Sequence, residues 1–184
     1  MKQLKFDLER NYKKQFGGEL LAGKRKTQRP LAIKKPIHLV LRSSQFKVFV
    51  PWNRSLEKLI YKVAAQFHIT IYDLALNWNH IHFIIMIKDR QDYVRFIRAL
   101  TSILSQKIKL KLGKATEVFR LRPFTRILEW GRDFKNTINY LLTNQLESVG
   151  LIKRLKQQKT SSKGRRQPLK PKMTSPEYLG WPAL

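Results

Sequence analysis

The chain has 184 residues, of which 38 are Lys or Arg and 12 are Asp or Glu, so its formal net charge is +26. Hydrophobic residues make up 42% of the sequence, enough for a sizeable core, which excludes a wholly disordered protein. The absence of cysteine excludes disulfides, thiolate zinc sites and a cysteine nucleophile. Since no segment approaches a signal peptide or the roughly 20 apolar residues that cross a bilayer, we expect a soluble, cytoplasmic protein.

The positive charge extends into both ends of the chain. Residues 1–36 contain 11 basic and 3 acidic residues, and residues 150–184 contain 9 and 1. Such an excess needs a polyanionic partner, so nucleic acid is the leading class of partner and an anionic membrane the second. We divide the chain into a basic, mostly irregular N-terminal arm at 1–36, a central domain at 37–150 and a basic, proline-containing tail at 151–184.

Several basic side chains are candidates for nucleic-acid contacts, because each Lys or Arg that meets a phosphate releases counterions and strengthens binding. These candidates are Lys24, Arg25, Lys26, Arg29, Arg42, Arg165 and Arg166. The alternative is that both arms are solvated tails. A membrane-surface protein fits less well, because the arms have Pro and Gly where an amphipathic helix needs Leu and Trp.

The first half of the central domain predicts a strand, a helix and a second strand. Residues 36–42 are rich in large apolar side chains and predict a strand, with residues 47–50 as a candidate extension. Apolar residues recur at spacings of three and four over 55–67, which predicts a helix. Residues 70–76 then predict the second strand.

The second half predicts a strand, a long helix, a weaker strand and a last helix. Residues 80–87 are almost continuously apolar, as expected of a central strand buried on both faces. Residues 89–112 predict the long helix, 118–128 an edge strand because of Pro123, and 134–146 the last helix. The order predicts an α+β class: a ferredoxin-like, split βαββαβ antiparallel sheet with one helix added at its C-terminal end.

Two histidines begin the most strand-like segment. Residues two apart on a strand share a face, so His80 and His82 project together with Cα atoms roughly 6–7 Å apart, which suits a shared metal ion. The alternative is a pair of hydrogen-bonded structural histidines. Their position at the start of a buried strand, where imidazoles can reach solvent and substrate, favours the metal site. His38 and His68 each lack a partner on their own elements and are predicted to be structural.

A tyrosine stands apart on the last predicted helix. At about 100° per residue, four apolar residues form one arc of this helix, Phe134, Ile138, Leu141 and Leu142. Tyr140 falls on the opposite arc among amides and carboxylates, with Asn144 one turn later. An exposed tyrosine on a helix is common and can be without function, but a phenol in this setting is also a candidate nucleophile.

The two candidate groups are chemically complementary. A tyrosine with a pKa of about 10 attacks a phosphate poorly unless its proton is removed and the phosphate is polarised, and a divalent cation does both. Two imidazoles with an amide oxygen from Asn144 or Gln145 leave open positions for phosphate and water. This ligand set suits Mn²⁺ or Mg²⁺ less obviously than zinc, so the metal's identity stays open at this point.

These residues carry a resemblance to a known family. Residues 78–85 contain a His-hydrophobic-His motif, and in residues 138–144 the tyrosine precedes an asparagine by four positions. The chain resembles the IS200-like, single-tyrosine HUH transposases, most closely the REP-associated tyrosine transposases, whose helix typically reads Tyr-Ile-x-x-Asn-Pro. Gln145 stands where that pattern has proline. Residues 36–42 also resemble the family's first strand, and the resemblance covers roughly residues 20–152.

The resemblance implies an enzyme that cuts single-stranded DNA beside a folded hairpin and rejoins it without ATP. Tyr140 would be the nucleophile, leaving a 5′-phosphotyrosine and a free 3′-hydroxyl. His80 and His82 would be metal ligands with Asn144 as the third, and Mg²⁺ or Mn²⁺ the cofactor. The implied partner is hairpin-bearing single-stranded DNA in the nucleoid of a prokaryote, with no membrane, and the chain would act as a monomer or homodimer.

The competing hypothesis is a non-catalytic nucleic-acid-binding protein of the same fold. Ferredoxin-like sheets often bind RNA or DNA through basic and aromatic side chains, and a fold does not by itself determine a function. In that case substitution of His80 or Tyr140 would leave every activity intact.

Overall fold

The computed structural model describes residues 15–24, 27–113 and 117–152 of the chain. The elements, in chain order, are β1 (Gln15–Phe16), β2 (Ile37–Arg42), α1 (Arg54–Gln66), β3 (Thr70–Leu76), β4 (His80–Met86), α2 (Arg90–Leu112), β5 (Phe124–Ile127) and α3 (Arg132–Ser148). A single 3₁₀ turn, Gly18–Leu21, follows β1.

The five strands form one antiparallel sheet in the order β1-β5-β2-β4-β3. Strand β4 pairs with β2 on one side and β3 on the other, so the histidine-bearing strand is central, as predicted. Without β1, the order β5-β2-β4-β3 is that of a split βαββαβ unit. The predicted ferredoxin-like α+β fold with an added C-terminal helix is therefore confirmed.

Local signals explain where the helices begin and end. The Asn53 side chain accepts a hydrogen bond of 3.1 Å from the Leu56 amide and caps α1. Asp89 caps α2 in the same way through the Gln91 amide, at 2.9 Å. Helix α2 ends at Gly113, whose φ of 63° is the left-handed conformation that favours glycine.

Two local expectations are corrected. Residues 47–50 form a turn and a bend, so they do not extend β2. The strand around Pro123 shrinks to β5 and does not lie at the edge of the sheet, because β1 pairs with its outer side. Most of the described N-terminal arm is irregular, but its residues Gln15 and Phe16 pair with β5. Gly17 permits this, since its φ is 88° and a Cβ there would overlap the Pro123 carbonyl oxygen.

Each face of the sheet has its own hydrophobic cluster. Helices α1 and α2 cover one face, where the larger cluster includes Leu39, Phe83 and Phe96. Helix α3 covers part of the other face through a smaller cluster of four buried residues, Ala75, Ile84, Leu128 and Leu141. No helix in the described ranges combines the length and apolarity that crossing a bilayer requires.

Candidate functional site

Strand alternation places three histidines on the sheet face that α3 covers. On β2, Ile37, Leu39 and Leu41 belong to the larger core, so His38 and Arg42 face the other way. On β4 the same alternation turns His80 and His82 to that face. The register pairs Arg42 with His80 and Val40 with His82, so the histidines of the two strands are neighbours.

His82 is deeply buried, with 4% of its surface exposed. Its Nδ1 lies 3.1 Å from His38 Nε2, and the planes of the two rings are within 15° of parallel, with 5.3 Å between centroids. The other nitrogen, Nε2, is buried and has no hydrogen-bond partner among the described residues. Burial lowers the pKa of His82 to about 2, with further lowering by His38 and His80, so the ring is neutral and able to offer a lone pair.

His80 is half-buried at the mouth of the site. Its Nδ1 lies 2.7 Å from the Asn79 side-chain oxygen and its Nε2 lies 2.9 Å from the Asn77 amide group. Burial, and then the nearby guanidinium of Arg42, lower its pKa below the ordinary range. Both ring nitrogens of His80 therefore lie within hydrogen-bond distance of an asparagine side chain, and the position of the proton on a neutral ring depends on the orientation of the Asn77 amide.

Polar and apolar contacts together hold α3 on this face. Arg126 on β5 donates to Asp133 Oδ1 and to Thr137 Oγ1, each at 2.9 Å. At the far end of the helix, the Trp78 indole donates to the Ser148 carbonyl at 2.9 Å. The docked face runs through Phe134, Thr137, Ile138 and Leu141. The predicted apolar arc was therefore wrong at Leu142, which is exposed, because a buried threonine faces Arg126 instead.

This docking brings Tyr140 to the histidines. Its ring meets that of His82 at 90° with 5.8 Å between centroids, and that of His38 at 77° with 6.3 Å. The tyrosine keeps 43% of its surface exposed, so one side of its ring faces the histidines and another faces solvent. The arrangement joins a phenol, two neutral imidazoles and an opening to solvent within one chain.

Asn144 lies close to the histidines through its backbone. With its nitrogen and oxygen exchanged, the Asn77 amide donates to the Leu76 carbonyl and to the Asn144 carbonyl, each at 3.2 Å, and its oxygen lies 2.9 Å from His80 Nε2. Asn77 therefore links the backbone of Asn144 to the ring of His80. Gln145, the alternative amide, lines a different cavity with Trp52 and Asp73.

The donor set fits a divalent cation. His82 Nε2 is a buried nitrogen that lacks a partner among the described residues, which is the state expected of a ligand atom that a cation satisfies. No three His, Asp or Glu side chains of the described ranges converge on a common point, so His80 and His82 would need amide, water or phosphate oxygens to complete a coordination shell. Such a site leaves positions for a substrate phosphate.

A cleft adjoins the histidines beyond Arg42. It has a volume of about 550 Å³, and its polar and basic lining includes Arg42, Ser43, Asn79 and Arg120, with Phe46 at the rim. Phe46 is 74% exposed, and the Lys47 ammonium lies between its ring and that of Trp78, at 5.4 and 5.7 Å from their centroids. Arg42 also pairs with Glu19 at 2.7 Å in solvent.

The candidate nucleic-acid contacts separate into three groups. Arg42 lines the cleft, and Lys24 is exposed in the turn that follows the 3₁₀ helix. Arg29 has an internal structural role instead, because its guanidinium donates to Thr125 Oγ1 at 2.7 Å and lies over the Phe16 ring at 4.6 Å. The remaining candidates lie outside the described residues, namely Arg25, Lys26, Arg165 and Arg166.

Two site residues were missed by sequence reasoning. His38 was expected to lack a partner, but strand pairing brings it to His82. The sequence did contain one signal for this position. His38 lies between Ile37 and Leu39 on a predicted strand, so its side chain faces away from the core that those two residues form. For Asn77, the only sequence evidence of a place at the site was its position in the turn before His80. The remaining histidine, His68, is exposed and lies 3.5 Å from the mostly buried Asp92 carboxylate.

Comparison with known proteins agrees with this architecture. Residues 33–125 match the family described as "Transposase IS200 like", a range that includes the three site histidines and ends before α3. A structure of a REP-associated tyrosine transposase bound to a REP hairpin is similar over 70% of this chain and 76% of its own, with 12% identity and a TM-score of 0.51.

A candidate transposase from Deinococcus radiodurans R1 has 14% identity and a TM-score of 0.42 over 66% of this chain and 98% of its own. No curated protein matches the sequence. At 12% and 14% identity, the similarity to solved structures is evidence for the fold alone. The family match covers half of the sequence and is the evidence for family membership. The chain belongs to the IS200-like transposase family.

Proposed function

We propose that this transposase is a metal-dependent endonuclease and strand transferase that cuts single-stranded DNA beside a hairpin, with Tyr140 as the nucleophile. The observation that carries the proposal is the meeting of the Tyr140 ring with the neutral imidazole of His82, 5.8 Å apart between centroids. Such a pairing suits phosphodiester transfer, because a phenol needs a polarised phosphate to attack.

The residues that would hold the cation are His80 and His82, with an amide oxygen of Asn144 or Asn77. Mg²⁺ or Mn²⁺ would polarise the scissile phosphate and stabilise the charge that develops on it. The protein's part is to keep the two imidazoles neutral, which the burial of both rings accomplishes. The neutral ligands also leave the full cationic charge available to the phosphate.

Tyr140 would act on a strand that lies across the opening above the histidines. Its oxygen forms a bond to phosphorus while the bond to the 3′-oxygen breaks, and that oxygen takes up a proton to become the free 3′-hydroxyl. The product is a 5′-phosphotyrosine ester. Attack by a 3′-hydroxyl reverses these bond changes and restores the tyrosine, so no ATP is needed because each phosphodiester is replaced by another.

The cleft beside Arg42 is the proposed path of the strand. Arg42 and Arg120 offer charge to phosphates, and Phe46 presents an exposed ring on which a base can stack. Lys24 would extend the basic surface, and so would Arg25, Lys26, Arg165 and Arg166 from the two arms. The proposed setting is the cytoplasm and nucleoid of a prokaryote, where such DNA is found.

The decisive experiment uses labelled hairpin DNA from the chain's own genomic neighbourhood with Mg²⁺ or Mn²⁺. We expect a covalent protein–DNA adduct that withstands denaturation and disappears with Tyr140→Phe, while DNA binding by that variant persists. Tyr61→Phe is the matched control, since Tyr61 is 48% exposed but lies on α1. If no adduct forms on any hairpin while binding remains tight, the chain is instead a non-catalytic nucleic-acid-binding protein.

A further inference from the structure

We propose that His38 is a positioning residue that sets the tautomer of His82 and directs the His82 Nε2 lone pair into the site. The inference rests on the proposed function, because it gives a task to the metal ligand that this function requires. His38 would not touch the metal or the DNA. It would act by accepting a hydrogen bond from the N–H on the far side of the His82 ring, at Nδ1.

The contact between the two rings requires that one proton lie between them. His38 Nε2 and His82 Nδ1 lie 3.1 Å apart, within hydrogen-bond distance. Two N–H groups cannot face each other at this distance, and two lone pairs would repel. One proton therefore lies between the rings, and it belongs either to His82 Nδ1 or to His38 Nε2.

The two choices have opposite consequences for the site. If His38 Nε2 carries the proton, neutral His82 has its own proton on Nε2, and a buried N–H without a partner points into the site. If His82 Nδ1 carries it, Nε2 has the lone pair that a cation needs. Cation binding thus requires the second tautomer, in which His38 is the acceptor.

His38 is held in place to serve as that acceptor. Only 7% of its surface is exposed, and its strand pairs with β4 on one side and β5 on the other. Its ring plane lies within 15° of that of His82, and its ring lies 6.3 Å from those of Phe124 and Tyr140, both at steep angles. Because its neighbours confine the His38 ring, its Nε2 is held in one direction. Less conformational entropy is therefore lost at the site when a cation binds.

The test compares two substitutions of His38 by the affinity of the full chain for Mn²⁺, measured by titration calorimetry. His38→Gln keeps an acceptor oxygen near the position of Nε2, whereas His38→Leu fills similar space with no acceptor. We expect His38→Leu to weaken Mn²⁺ binding about 10- to 100-fold, the usual effect of losing a hydrogen-bond partner of a ligand, and His38→Gln to stay within about threefold of wild type.

A second readout follows the tautomer itself. Nitrogen NMR of the imidazole rings in the metal-free protein identifies which nitrogen of His82 carries the proton. We expect Nδ1–H in wild type and in His38→Gln, and a mixture or Nε2–H in His38→Leu. Thermal unfolding of each variant shows whether it is folded, and the leucine variant is compared only with a glutamine variant that unfolds at a similar temperature.

The outcomes separate this inference from the proposed function. If His82→Ala leaves Mn²⁺ binding unchanged, the metal site itself is wrong and the proposed function fails. If His82→Ala abolishes binding but His38→Leu binds as tightly as wild type, or His82 carries its proton on Nε2 in wild type, the role of His38 is overturned while the metal site stands. Equal losses in the glutamine and leucine variants would likewise overturn it, because the acceptor would then not matter.

Discussion

The ring of Tyr140 meets the ring of His82 at a right angle within a single chain, with 5.8 Å between their centroids. No second copy is needed to bring these two groups together. Under the proposed function, this arrangement predicts a site that is complete in each chain, with the tyrosine acting in cis.

A mixing experiment follows from this arrangement. Tyr140→Phe and His82→Ala should each be inactive alone, and an equimolar mixture of the two should form no adduct with hairpin DNA, because neither chain has both groups. Adduct formation is scored on denaturing gels after the variants are mixed and incubated. Recovery of a sizeable fraction of wild-type adduct in the mixture would show instead that helices exchange between chains.

Arg126 should control the placement of the tyrosine helix. Its guanidinium binds Asp133 and Thr137, and Thr137 lies one turn before Tyr140. We expect Arg126→Met to lower the free energy of unfolding by about 1–3 kcal/mol, because buried or half-buried polar groups lose their partner. Strand cleavage should fall at least tenfold, with little change in DNA affinity.

Urea unfolding and single-turnover cleavage measure these two effects. Lys135→Met is the matched control, since Lys135 is an exposed cation on the same helix. Similar cleavage rates for the two variants would contradict a positioning role for Arg126.

The exposed ion pair between Arg42 and Glu19 should limit DNA affinity. Glu19→Gln removes a negative charge beside the cleft, so we expect single-stranded DNA to bind about two- to fivefold more tightly in low salt. Arg42→Gln should weaken binding and reduce the salt dependence by about one counterion. Fluorescence anisotropy at several salt concentrations measures both effects.

Two substitutions on other helices serve as controls for net charge, Glu57→Gln on α1 and Arg95→Gln on α2. Glu57→Gln is compared with Glu19→Gln, and Arg95→Gln with Arg42→Gln. Equal shifts in DNA affinity within each pair would show that the effect comes from the net charge of the chain and not from the cleft.

Tyr93 should make the folded state sensitive to alkali. Its hydroxyl is buried and has no hydrogen-bond partner within the described part of the chain, and burial raises its pKa to about 12. Because the folded state disfavours the phenolate, the contribution to stability is complete below the unfolded pKa of about 10 and is lost as the pH rises from 10 towards 12.

The loss should reach about 1.4 kcal/mol at pH 11, one pKa unit above the unfolded value, since each pKa unit corresponds to roughly 1.4 kcal/mol. Urea unfolding of wild type and Tyr93→Phe between pH 8 and about 11 measures the difference, because the phenylalanine cannot ionise. Parallel pH profiles for the two proteins would contradict the assignment to Tyr93.

Periodicity was sufficient for most of the fold. Periodicity locates β2, β4, α1 and α2 within about two residues of their observed ends. A strand buried on both faces is almost continuously apolar, and a helix buried on one face has apolar residues at spacings of three and four. Strand β1 could not be predicted, since two residues are too few to show alternation. Its pairing also moved β5 from the edge of the sheet to an inner position.

The site was only partly readable in the sequence. His80 and His82 lie two apart on one strand, so local geometry alone puts them together. His38 reaches His82 through the register between β2 and β4, a long-range relation that no local pattern contains. Arg29 was predicted to contact DNA because it is a basic residue in a basic arm. In the structure its guanidinium instead lies against Phe16 and Thr125.

The small cluster under α3 is separate from the larger core on the opposite face of the sheet. Because its four buried residues are far fewer than those of the larger core, we expect α3 to open locally at a lower free-energy cost than that core. Under the proposed function, a DNA strand attached to Tyr140 would then move with α3 while the larger core stays folded.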